Sequence, residues 1–283
     1  SRNKIINGCC RFWKRATSSS SAGYSCIDRW NFGYASGAIS VAKGQDTQPS
    51  EGSVDGSFIN LTATAVVGGY FQQPVEYVRT LAGKTVTLSY YYTTVSGTDT
   101  GVAPYLQQYF GSSGSAPVNT AATTDVSTLI SGSTYRRVLT YSLPSIAAKT
   151  ISGGNDSLVV VIPFAGTFNQ KYYSFQLEDG AVATPFEFRH FSTEQDLCNR
   201  YCTELLDLLC GGYHNSAGGL IYSDGVLPVQ MRAAPTGIFR GTATYLNASA
   251  LTISSTTADK VRLRLTITAA GYGYGHGNPI LLT

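Results

Sequence analysis

Residues 172–190, YYSFQLEDGAVATPFEFRH, constrain the chain more than any other stretch. Tyr173, Phe175 and Leu177 alternate with Ser174, Gln176 and Glu178, the period-2 pattern of a half-buried strand. Asp179-Gly180 then supplies turn chemistry. Pro185 has no N–H for a ladder and biases Thr184 towards an extended shape, so the chain leaves its sheet here. A long run of β-type sequence precedes this exit. A helical signal and a shorter β-rich run follow it.

Other stretches repeat the strand pattern. Along 84–94, Val86, Leu88, Tyr90 and Tyr92 fall on one face and Thr85, Thr87, Ser89 and Tyr91 on the other. Further strands are predicted over 4–6, 10–15, 29–34, 38–42, 57–67, 102–110, 135–143 and 158–164. The stretch 74–81 reads as one helical turn. Turns or loops are placed at 17–21, 96–101, 111–117 and 144–155, with a polar loop over 43–56 that carries Asp46, Glu51 and Asp55. Strand and helix never alternate, which excludes an α/β fold.

Over 192–209 apolar residues recur at i, i+4 and i+8, and Ser192 with Gln195 forms a capping-box pattern, so a helix is predicted there. Strands return at 220–222, 238–246, 250–254 and 261–268, and GYGYGHG (271–277) reads as a loop. The expected fold is all-β: an antiparallel jelly-roll β-sandwich over 1–190, a short linking helix over 191–210, and a smaller C-terminal β-sandwich over 211–283.

Charged residues make up only 13% of the chain and the net charge is +3, so no nucleic-acid footprint is expected. The longest apolar run, 158–165, is broken by Pro163 and too short to span a bilayer, so no membrane insertion is expected. No signal-peptide pattern opens the chain. Its first residue, Ser, fits a cytoplasmic product trimmed of its initiator Met, and the chain is expected to be complete.

No active site is legible. The three histidines are scattered, and no nucleophile elbow, phosphate loop or dinucleotide fingerprint is present. Asp46, Asp99, Asp125 and Asp156 read as turn residues, so no glycosidase carboxylate pair is expected and the chain is read as non-enzymatic. The six cysteines (Cys9, Cys10, Cys26, Cys198, Cys202, Cys210) lack zinc-knuckle spacing, and no metal site or cofactor is expected. They are read either as small buried hydrophobes or as partners in inter-subunit disulfides.

Tyrosine, 19 of 283 residues, is the richest chemical signal. Tyr90 and Tyr92 read as core. Tyr91, Tyr105, Tyr109 and Tyr172, with Asp99, Gln107 and Gln108 as polar neighbours, read either as a sugar-stacking platform with hydroxyl partners or as subunit contacts.

The segment FQLEDGAVATPFEFR followed by STEQDLCNRY resembles a module of bacteriophage tail-fibre and virion-surface proteins. Ile6-Asn7-Gly8, Trp13-Lys14-Arg15 and YSCIDRW (24–30) are similar to the opening of that family. QQPVEYVRTLAGKTVTLSY (72–90) resembles carbohydrate-binding jelly-roll modules. The resemblance covers 1–202 and extends more weakly into LPVQMRAAPT (227–236). It implies a non-enzymatic virion-surface protein, fibre-type, binding a host surface glycan or receptor. It implies a homo-oligomer, a trimer in that family, in contact with other virion proteins. It also raises a structural Ca²⁺ near Glu178 and Asp179, and a core Trp30 beside a buried Asp28–Arg29 pair. Two further readings stay open: a capsid, neck or collar decoration protein reinforced by disulfides, and a glycan-degrading enzyme.

Overall fold

The computed structural model describes residues 1–46 and 55–282; Glu51 of the polar loop lies outside the described residues. The chain divides into two compact units, one over Ser1–Arg189 and one from His190 onward. Nearly all regular structure is antiparallel β, as the sequence predicts. Among the described residues no helix is long and apolar enough to cross a membrane.

The first unit contains β1 (Ser18–Ser19), β2 (Asn31–Gly33), β3 (Ser36–Gln45), β4 (Ser57–Glu76), β5 (Thr85–Asp99), β6 (Tyr105–Tyr109), β7 (Val118–Ala121), β8 (Thr124–Ser131), β9 (Thr134–Ser142) and β10 (Ser157–Asp179). β4 and β10 pair along most of their length and form the spine. The first half of β10 also pairs with β6, and its second half with β5. One layer of the jelly roll is therefore β7, β6, the first half of β10, the second half of β4, and β2. The other is β8, β9, β5, the second half of β10, the first half of β4, β3 and β1. The spine changes layer at bulges on either side of Gly166, whose φ of +91° is open to glycine without strain.

Phe71 lies at the centre of the core between the layers. Its ring is 5.6 Å from Trp30 and from Phe32, 5.0 Å from Tyr172 and 5.8 Å from Phe175. All five side chains are buried, and each contributes about 1.5–3 kcal/mol through its apolar surface.

Several local expectations are corrected. Stretches 4–6 and 10–15 are not strands: Asn7 and Cys10 take positive φ, and the Asn3 and Asn7 side chains bond the backbone in place of a ladder. The predicted strands 158–164 and 173–178 are one strand, since the bulges absorb the bend between them. Residues 96–99 continue β5 instead of turning, and the β7 and β8 strands carry no expectation from sequence. Asp125 consequently lies in a strand. Trp30 is a core residue, but Asp28 pairs with Lys14 and Arg15. Arg29, at φ +76°, turns to the Pro74 carbonyl.

The exit segment is latched to the sandwich. Glu178, buried, accepts from Thr184 N (2.8 Å) and Thr184 Oγ1 (2.7 Å). Gln176 Oε1 accepts from Glu187 N (2.6 Å), and Arg189 donates to the Ile5 carbonyl (2.8 Å). Asp179, one residue on and facing the other way, pairs with Lys84 at 2.6 Å.

The second unit begins with α1 (Phe191–Asn199), followed by β11 (Cys202–Glu204), β12 (Leu208–His214), β13 (Leu220–Val226), β14 (Thr236–Leu246), β15 (Ala248–Thr256), β16 (Lys260–Ile267) and β17 (Gly271–Leu282). β11, β12 and β14 flank β17 in one sheet; β13, β16 and β15 form the other. Cys210, Leu227, Met231, Leu251, Val261, Leu263, Leu265, Ile267 and Leu281 fill the space between them.

The predicted helix is cut short. It lacks a side-chain cap at its start, and β17 captures residues 202–204 as a strand partner. GYGYGHG is a strand, not a loop. Gly273 and Gly275 face the core, where a Cβ would meet Ile267 Cδ1 at 2.6 Å and Leu265 Cδ1 at 2.7 Å. The glycines are there to admit the opposite sheet, and Tyr272, Tyr274 and His276 occupy the outer face.

Candidate functional site

Three tyrosines and a leucine on the inner face of the larger layer line up across four strands. On the ladder Tyr172 of β10 is opposite Tyr92 of β5, Tyr92 opposite Tyr135 of β9, and Tyr135 opposite Leu129 of β8. Tyr172 is buried, Tyr92 and Tyr135 are half-buried, and Leu129 is exposed, so the row runs from the core out to the sheet edge. Tyr92 and Tyr135 stack with their ring centroids 5.4 Å apart and 15° between planes.

Polar groups flank this row. On one side Tyr172 donates to Gln170 Oε1 (2.6 Å), and Gln170 Nε2 donates to Thr94 Oγ1 (3.4 Å). On the other, Tyr90, Arg137 and Ser127 face one another across β5, β9 and β8. Arg137 makes a bidentate pair with Asp125 (2.8 and 2.6 Å) and donates to the Tyr90 hydroxyl (3.3 Å). The phenol therefore keeps its own proton to donate.

A cavity of about 310 Å³ opens among these groups, walled by Tyr90, Tyr92, Tyr172, Arg137, Gln170 and Asp99. That volume falls in the range of small-molecule sites, about 300–1,000 Å³. Asp99 Oδ1 accepts from Gly101 N (2.8 Å) and Ala165 N (3.0 Å). Burial pushes the Asp99 carboxyl above the ordinary value, although those two N–H groups and Arg137 pull the other way. Burial also pushes the Tyr90 and Tyr172 phenols up, so both remain hydrogen-bond donors in neutral solution.

Of the residues the sequence singles out for a sugar platform, Asp99 and Tyr172 reach this cavity. Tyr105, Gln107 and Tyr109 share the outer face of β6, with Gln107 bonded to Asn119 (2.8 Å). Tyr91 lies on the outer face of the other layer, beneath the Arg136 guanidinium (5.8 Å). Sequence reasoning missed Tyr92, Tyr135, Arg137 and Gln170. The signal was present in part: alternation puts Tyr90 and Tyr92 on one face, and that face was read wholly as core.

No intramolecular disulfide joins the six cysteines; Cys10, Cys26, Cys198, Cys202 and Cys210 are buried and Cys9 is half-buried. Among the described residues no three His, Cys, Asp or Glu side chains cluster as metal ligands. Glu178 and Asp179 are each engaged by the protein partners described above.

No family model matches the chain, and no curated protein matches it in sequence. Solved structures similar to it are β-sandwich proteins. The enzymatically active domain of tailspike protein 4 from bacteriophage CBA120 aligns at 10% identity and TM-score 0.39 over 63% of this chain. That match covers 22% of the tailspike chain, so this chain spans under a quarter of its length. The CBM22-1 xylan-binding domain of Paenibacillus barcinonensis Xyn10C aligns at 11% identity and TM-score 0.37, over 59% of this chain and 94% of that one. A putative sugar-binding protein from Bacteroides thetaiotaomicron VPI-5482 aligns at 13% identity and TM-score 0.37, over 63% of this chain and all of that one.

Proposed function

We propose that the protein binds a glycan in the cleft on the inner face of its first unit, without chemistry, as a surface protein of a bacteriophage virion. The observation that carries the binding is the tyrosine row with its polar flanks. An aromatic face stacks on the apolar face of a pyranose, while Gln170, Asp99 and the Tyr90 hydroxyl meet the sugar hydroxyls. The graded exposure from Tyr172 to Leu129 suits a chain end entering the cavity, with the next sugar resting on Tyr92 and Tyr135. Asp99, Asp125 and Arg137 together contribute one net negative charge, which favours neutral or amino sugars over uronic acids. The virion setting and fibre-type display draw on the sequence resemblance.

Supporting a non-enzymatic role, Asp99 is the one carboxylate among the described residues that line the cavity, and Asp125 is held by Arg137. The raised carboxyl of Asp99 is the feature that favours a glycan-degrading alternative, since a general acid has that property. Release of reducing ends from a bound polysaccharide would establish that alternative.

Tyr91 and Tyr92 are adjacent and face opposite ways, so they test the site cleanly. Titration with a glycan panel is expected to show Tyr92→Ala weakening binding by about tenfold, ~1.4 kcal/mol. Tyr91→Ala is expected to leave it unchanged. The reverse result would move the site to the outer faces.

A further inference from the structure

The second unit has two outer sheet faces, and they differ. On the β13–β16–β15 sheet, Asp224 and Arg262 lie opposite each other and pair at 2.6 Å, with Arg264 two residues further along β16. That face also carries Leu220, Tyr222 and Val226 at 42%, 51% and 81% exposure, all on β13, beside the charged residues. The outer face of β12, β17 and β14 holds more exposed apolar residues, spread over three strands. Tyr213 and Tyr272 are opposite each other on the ladder and 69% and 60% exposed. Leu209 lies on the same face of β12 at 56%, and β14 adds Leu246 at 56% and Ile238 at 59%.

We infer that this face is where copies of this chain meet. Two observations select that occupant. The first is extent. If a large apolar side chain spans about 150–250 Å², these five present on the order of 600 Å² at their exposures. A standard interface buries about 800 Å² per partner, so the patch would supply most of one side of an assembly contact; it stands at the upper end of the roughly 300–600 Å² of a monomer's largest apolar patch, a size that is often functional.

The second is charge. The ionisable side chains at this face are already paired: His276 Nδ1 with Asp207 (2.7 Å), and Arg240 with Glu204 (3.3 Å). Arg240 is matched by Glu204 and Asp207 is bonded to His276, so the face carries no cation excess and no block of like charge to set against its own copy. A nucleic acid or an anionic lipid surface would need cations in excess, which this face does not offer. Tyrosine, with an apolar body and a polar tip, suits a contact formed after folding.

Multi-angle light scattering of the full chain at micromolar concentration tests the inference. A mass of two or more chains is expected for the wild type. Tyr213→Lys is expected to reduce it to one chain, with the circular dichroism of the fold retained. Should Tyr213→Lys unfold the second unit, Leu246→Lys on the neighbouring strand gives the same reading. Tyr222→Lys, on the opposite sheet, is expected to leave the assembly intact. A single-chain mass for the wild type would overturn the inference, as would a folded Tyr213→Lys or Leu246→Lys protein that stays assembled. Dissociation by Tyr222→Lys as complete as by Tyr213→Lys would also overturn it.

Discussion

Both units place tyrosines along strands at period two, yet the rings meet opposite environments. In the first unit Tyr90 and Tyr172 lie under a second layer of sheet and are buried. In the second, Tyr213 and Tyr272 lie on the outer face of a sheet with glycines beneath, and stay more than half exposed. The difference is made by what faces the strand. Tyrosines roofed on one side and open at the sheet edge make a cleft; tyrosines with no roof make a surface. The second unit needs glycine on its inner face because its two sheets approach so closely there. The first fills the same space with aromatic rings.

The contrast can be broken most forcefully at the core. Trp30→Ala empties a fully buried site against Phe71 and Phe175 and is expected to cost about 3–5 kcal/mol. Denaturant unfolding should lose the first unit's transition and keep the second's. A single joint loss would mean that the units do not unfold independently.

Gly275→Ala is the counterpart in the second unit. Its Cβ would sit 2.7 Å from Leu265 Cδ1, and the expected cost is about 1–3 kcal/mol, confined to that unit. A neutral effect in calorimetry would show that Leu265 simply moves aside.

The buried phenols sharpen the comparison with pH. Tyr90 and Tyr172 hold their protons in the folded state well past the ordinary value of 10.0, whereas the unfolded chain releases them near it. The folded form therefore binds more protons above pH 10, and the first unit's stability should fall as pH rises beyond that point. Below pH 10 both states are protonated and the effect vanishes. Thermal unfolding followed up to about pH 11 should show the first unit's midpoint dropping; a flat midpoint would contradict the burial of these rings.

The smallest effect separates two adjacent acids. Asp179 is exposed and pairs with an equally exposed Lys84, so Asp179→Asn should change stability by no more than about 0.5 kcal/mol. Glu178→Gln disturbs a buried carboxylate bonded to Thr184 and should cost clearly more. Equal losses in chemical denaturation would mean that the exit segment is not held by Glu178.

How much of this the sequence revealed depended on whether the forces acting were local. The strand over 84–94 was legible because Val86, Leu88 and Tyr90 face the core while Thr87 and Ser89 on the other face stay polar even where they are buried, so the alternation survives in the sequence. β8 was not, because TDVSTLIS lies at a sheet edge with both faces largely exposed, and nothing there demands a pattern. The helix was read too long because apolar spacing persists through Leu205, while residues 202–204 gain more by pairing with β17. The segment resembling the virion module was recognisable as a motif. Its work here, tying Glu178 to Arg2, Glu187 to Ser1 and Arg189 to Ile5 at the start of the chain, is visible only once residues far apart in sequence are side by side.

The sequence alone determined that the chain is antiparallel β, that it leaves a first sandwich after residue 179, and that tyrosine is its dominant chemical feature. Period-two alternation, turn residues and proline are properties of neighbours along the chain. Tertiary structure decided which tyrosines face a cleft, which lie in core and which face outward. The row from Tyr172 through Tyr92 to Tyr135 is assembled across β10, β5 and β9 by register, and register is set by bulges and by the packing of the opposite layer.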